Sequence, residues 1–107
     1  MAIRTSWEFI FDRRVVDNLV EAGSDPSKLH SIEFVFRGEQ TALQNMQESL
    51  AARDYRLVEL SAEESRLVMA RSMALDAGGI YREGLSHRED CQRFGIEFDG
   101  WGASVVS

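Results

Sequence analysis

The chain has 107 residues, 44% hydrophobic and 28% charged, with 18 acidic against 12 basic side chains and a formal net charge of −6. That length holds one domain, with a core large enough to fold without disulfide staples. The acidic balance repels phosphate backbones and anionic lipid, which argues against direct binding of nucleic acid or membrane. Cys91 is the only cysteine, so there is no internal disulfide and no cysteine-rich metal site.

The opening stretch, MAIRTSWEFIFDRR, is interrupted by Arg4, Glu8, Asp12, Arg13 and Arg14. It has no apolar run of signal-peptide length, and no segment approaches the ~20 residues of a membrane span, so a cytoplasmic chain is expected. Trp7, Ile10, Phe11, Val15, Leu19 and Val20 recur at helical spacing, with charged residues between them. They predict a first helix, capped by Thr5 or Ser6, closed by Gly23 and prevented from continuing by Pro26.

In LHSIEFVFRG, Ile32, Phe34 and Phe36 alternate with Ser31, Glu33, Val35 and Arg37, the period of a strand with one buried face. Gly38 ends it. The next segment, EQTALQNMQESLAARD, is rich in helix formers and sets Leu43, Met46, Leu50 and Ala42 on one face. YRLVELS reads as a short strand with Val58 and Leu60 on one side and Tyr55, Leu57 and Glu59 on the other. After an AEES turn, RLVMARSMAL reads as a third strand, with Leu67, Met69, Met73 and Leu75 on one face and Val68, Ala70, Ser72 and Ala74 on the other. The methionines fill core space.

The segment DAGGIYREGLSHREDCQRFG is broken by Gly78, Gly79 and Gly84. A loop is expected at 77–79, then a helix over 80–93 stopped by Gly95, and a last strand from Ile96. The order is one helix followed by β-α-β-β-α-β. This predicts an α+β ferredoxin-like two-layer sandwich, a four-stranded antiparallel sheet with an extra N-terminal helix, as a single domain over 1–107. The first helix lies either beside the other two or across the open sheet face.

His87 and Cys91 stand four apart, on one helical face, but no third group orients them as a nucleophilic pair, and a buried hydrophobic cysteine is the commoner case. His30 and His87 share no metal-ligand spacing. Glu63–Glu64 and Glu89–Asp90 are sequence neighbours that point apart on a helix and are read as solvated. Gly78–Gly79 lacks the residues of a phosphate loop. No catalytic, metal or cofactor site is predicted, and the chain is not read as an enzyme.

The closing run IEFDGWGASVV sets Trp101 between two glycines. Strict alternation with Ile96 and Phe98 toward the helices places Glu97, Asp99 and Trp101 on the open face, where a tryptophan beside carboxylates would anchor a protein partner. The alternatives are a glycine bulge that shifts register by one and turns Trp101 into the core, or cover from the first helix.

Two stretches carry a family resemblance. EAGSDPSKLHSIEF resembles the helix end, Gly-Ser-Asp-Pro turn and first strand of the regulator of ribonuclease E activity B family, and FGIEFDGWGASV resembles that family's closing strand. The likeness runs from about Val15 to Val106. It implies a ferredoxin-like fold and a small cytoplasmic bacterial protein that is not an enzyme. Members of the family bind an endoribonuclease of the ribonuclease E type outside its catalytic half and alter RNA turnover. The expected partner surface is Glu33, Glu97, Asp99 and Trp101, with no cofactor and no direct contact to nucleic acid. The rival expectation is a ferredoxin-like ligand-sensing or dimerisation domain, which would make the chain a homodimer.

Overall fold

A computed structural model describes residues 3–107, with side chains from Asp12 onward. The elements are α1 (Ile3–Glu21), β1 (Leu29–Arg37), α2 (Gln40–Ala51), β2 (Arg56–Ser61), β3 (Arg66–Ala74), α3 (Ala77–Phe94) and β4 (Glu97–Gly102). The four strands form one antiparallel sheet in the order β2-β3-β1-β4. Helices α2 and α3 cover one face, giving the α+β, ferredoxin-like arrangement expected from the element order.

The alternation of β1 does most of the sorting. Ile32, Phe34 and Phe36 are fully buried toward the helices, where Leu67 and Met69 of β3 join them. Leu43, Met46 and Leu50 of α2 and Ile80 and Cys91 of α3 close the core from above. Ser31, Glu33, Val35 and Arg37 point to the opposite face, as their period of two requires.

Helix α1 ends in a Schellman motif. Gly23 takes φ +113°, Ser24 N–H donates to the Leu19 carbonyl at 2.9 Å, and Gly23 N–H donates to that of Val20 at 3.0 Å. The helix packs on α3, beside the helical layer, and leaves the open sheet face uncovered. Thr5 and Ser6 fall inside it rather than at its start, because it begins at Ile3. The expected apolar contacts of Trp7, Ile10 and Phe11 lie outside the described side chains.

Two local expectations are corrected. Helix α3 starts at Ala77, not Ile80, because Asp76 caps it: the carboxylate accepts the Gly79 N–H at 2.8 Å, and the Asp76 carbonyl accepts the Ile80 N–H. A cap of this kind, typically worth about 1 kcal/mol, offsets much of the cost of adjacent glycines. In β2 a register shift between Leu57 and Glu59 breaks strict alternation. Leu57 and Leu60 pair with the helix-facing Met69 and Leu67, while Glu59 joins Val58 on the open side.

Candidate functional site

The last strand decides which groups share a surface. Phe98 pairs with Phe36 and Trp101 with Phe34, so Asp99 and Gly100 together oppose the single residue Val35. This is a β-bulge, and Gly100 adopts φ +106° within it, a conformation that suits glycine. The extra residue turns Trp101 to the helix side. Its indole N–H donates to Asp12 Oδ1 of α1 at 2.8 Å, and its ring packs against the core cluster. The expectation that Trp101 stands beside Glu97 and Asp99 on the open face is therefore corrected. The carboxylates face one way and the tryptophan the other.

Glu33, Glu97 and Asp99 do share the open face. Its middle is a shallow depression lined by Val35, Val58 and Val68, with Arg37, Glu59 and Arg66 around them. Arg37 Nε donates to Asp99 Oδ2 at 2.8 Å, and Arg66 pairs with Glu59 at 2.9 Å and with Glu64 at 2.8 Å. Arg56 reaches from β2 to donate to Ser31 Oγ on β1. The alternation of β1 and β3 predicts Val35, Arg37, Arg66 and Val68 on this face as well as Glu33, but pairing is needed to bring them into one patch with Val58 of β2.

On the helix side, α1, α3 and β4 enclose a groove of about 270 Å³. Val15, Ile80, Leu85, Phe98 and Trp101 line it, with Asp12 and Arg88 at its rim, and the Arg88 guanidinium lies 5.3 Å from the Phe98 ring centroid.

The two groups singled out as a nucleophilic pair are both buried. His87 is 1% exposed and Cys91 4%. Desolvation pushes the Cys91 thiol up to about 11, so it stays protonated and unreactive at neutral pH. His87 sits among Phe34, Phe36, Tyr55 and Phe98, its ring 4.6 Å from that of Phe34. The Tyr55 hydroxyl donates to Glu83, which Arg71 holds at 3.1 Å, so the phenol oxygen accepts from His87 Nε2–H at 2.9 Å. Nδ1 is then the bare nitrogen and has no partner. Burial without an acceptor at Nδ1 lowers the His87 pKa to about 4. His87 is thus the neutral, buried member of a hydrogen-bonded network with Tyr55, Glu83 and Arg71.

His30 is likewise structural. Its Nδ1–H donates to the Lys28 carbonyl at 2.8 Å, and the Ser24 hydroxyl donates to Nε2 at 3.2 Å while accepting the Val106 N–H at 3.0 Å. Asp25 N–H donates to the Val106 carbonyl at 2.7 Å, and Leu75 N–H to that of Pro26 at 3.1 Å. The Gly-Ser-Asp-Pro turn thus clasps the segment that follows Asp-Gly-Trp-Gly. The two stretches that carry the resemblance hold the first helix, the end of β3 and the C-terminal segment together. Among the described residues, no group of three or more His, Cys, Asp or Glu is placed to hold a metal ion, and no helix is long and apolar enough to cross a membrane.

Fold and surface define a ferredoxin-like α+β domain with a patterned, charged sheet face left uncovered by the described helices. The family model for regulator of ribonuclease activity B (RraB) matches residues 9–103, nearly the whole chain, and the chain belongs to that family. No curated protein matches it.

Proposed function

We propose that this chain is a non-catalytic, protein-binding regulator that docks through its open sheet face on an endoribonuclease of the ribonuclease E type and restrains its cleavage of RNA. The family is one of ribonuclease regulators. The observation that carries the reading to a surface is that Glu33, Glu97 and Asp99 lie together on the face that α2 and α3 do not cover. Their charge favours a protein contact over direct contact with RNA. In this reading the protein acts in the bacterial cytoplasm without a cofactor, and Trp101 serves the surface indirectly, by holding the register of β4.

A second reading, a homodimer, draws on the free edge of β2, where Leu57 and Val58 are 48% and 46% exposed. The reading is tested by pull-down from lysate of the source organism with and without RNase treatment, followed by RNA cleavage with the purified nuclease. Recovery of the nuclease in both samples, and slower cleavage, is the expected result. Glu33→Lys with Asp99→Lys should abolish both while the chain stays folded, since an exposed ion pair such as Arg37–Asp99 contributes at most about 1 kcal/mol. A nuclease lost on RNase treatment, or a chain recovering only itself, overturns the reading.

A further inference from the structure

Gly102 is a glycine that the fold itself does not require. Its φ is outside the left-handed region, and a Cβ built on it would meet nothing within 4 Å. Glycine weakens a strand, so an unforced glycine in one suggests close approach by something else. Its cross-strand partner on β1 is Glu33. On the other side of Glu33 stands Ala70, the partner of Arg56 in β2. Arg56 spans that position to reach Ser31 Oγ, so the β3 flank of Glu33 is filled and the β4 flank is open.

The charges on this face are unevenly satisfied. Arg37, Arg56 and Arg66 each have a hydrogen-bonding partner. The Glu33 side chain is exposed, and its carboxylate makes no hydrogen bond or ion pair among the described residues. The face therefore presents an unpaired carboxylate at the centre of the sheet, a vacant flank at Gly102, and the half-buried aliphatic side chain of Val35 beside it.

We infer that Glu33 and Gly102 form a slot for a cationic side chain, an arginine projecting from a partner polypeptide, with the neighbouring aliphatic part of that segment resting on Val35. A guanidinium suits the slot because it is planar, pairs with a carboxylate through two parallel bonds, and sheds water more readily than an ammonium. The inference rests on reading this face as a protein-docking surface and names what the surface recognises.

The test uses the isotopically labelled full chain, titrated with the peptide acetyl-Ala-Val-Arg-Val-Ala-amide and with its citrulline twin, whose side chain has nearly the same shape but no charge. Amide resonances of Glu33, Val35 and Gly102 should shift with the arginine peptide, and roughly two- to fivefold more peptide should be needed with citrulline. Gly102→Val should remove the response while leaving the melting temperature unchanged or higher, because valine favours a strand and meets no clash. Glu33→Gln should also remove it. Equal response to both peptides, shifts confined to the groove between α1 and α3, self-association that buries the face, or normal binding by Gly102→Val would each overturn the slot.

The same variants assayed against the nuclease separate the two readings. A Gly102→Val chain that still restrains cleavage overturns the slot and leaves regulation standing. An arginine peptide held at Glu33 by a chain that ignores the nuclease supports the slot and overturns regulation.

Discussion

The Trp101 indole N–H donates to Asp12 Oδ1 at 2.8 Å, joining the last strand to the first helix across 89 positions of sequence. The bond forms because the Asp99–Gly100 bulge rotates the tryptophan off the face that its parity predicts. A double-mutant cycle of Trp101→Phe and Asp12→Ala should return a coupling of about 1 kcal/mol in urea denaturation, in the range of a partly buried hydrogen bond. Strictly additive single effects would mean that the two groups do not stabilise each other.

Gly100 and Gly102 flank the same tryptophan but answer to different constraints. At Gly100 the obstacle is conformational alone: φ is +106°, and a Cβ would touch nothing within 4 Å. Gly100→Ala should destabilise the chain by roughly 1–3 kcal/mol, the cost of an unfavourable backbone region. Gly102→Ala should be neutral or stabilising. Thermal melts of the pair, run side by side, check the contrast, and equal losses would contradict it.

A third glycine is held by crowding. A Cβ on Gly38 would lie 2.6 Å from Ile96 Cγ2 and 3.0 Å from Ile96 Cβ. Ile96 is 8% exposed and part of the core, so it has little room to retreat. Gly38→Ala should cost about 1–3 kcal/mol by overpacking. Relief by Ile96→Val, which still carries a branched Cβ, should be partial at most.

His87 makes stability depend on pH with a defined sign. Its folded pKa, about 4, lies below the ordinary histidine value of 6.5, so the unfolded chain takes up the proton first. Its contribution is complete above pH 6.5, declines as the pH falls, and is exhausted near pH 4, a loss of order 3 kcal/mol. The stability difference between the wild type and His87→Phe, measured across that window, should move in the variant's favour as the pH drops. Parallel curves would show that His87 does not titrate differently in the two states.

Cys91 should behave as a packed apolar group. With the thiol 4% exposed and pushed up to about 11, iodoacetamide at pH 8 should modify the folded chain far more slowly than the urea-unfolded one. Cys91→Ala should leave binding of the nuclease unchanged. Labelling of the native chain at the rate of a free thiol would contradict the burial.

The sequence by itself determined the order of elements, the sandwich they form and the side each residue of β1 faces. These rest on hydrophobic period and on terminal signals such as Gly23 and Gly95, which act within a few residues. Glu33 could be assigned to the open face for the same reason. The start of α3 is not legible in the sequence, because three glycines lower helix propensity while the Asp76 side chain caps the first turn by accepting the Gly79 N–H.

Only the tertiary structure decided where Trp101 and the first helix lie. A bulge is a property of two strands in register, and a single strand's sequence does not show which residue its neighbour will leave unopposed. The place of α1 depends on a hydrogen bond to Trp101 and on a turn whose partners at Leu75 and Val106 are far away in the chain. Local period is written in adjacent residues, whereas register and docking are settled by contacts that exist once the chain has folded.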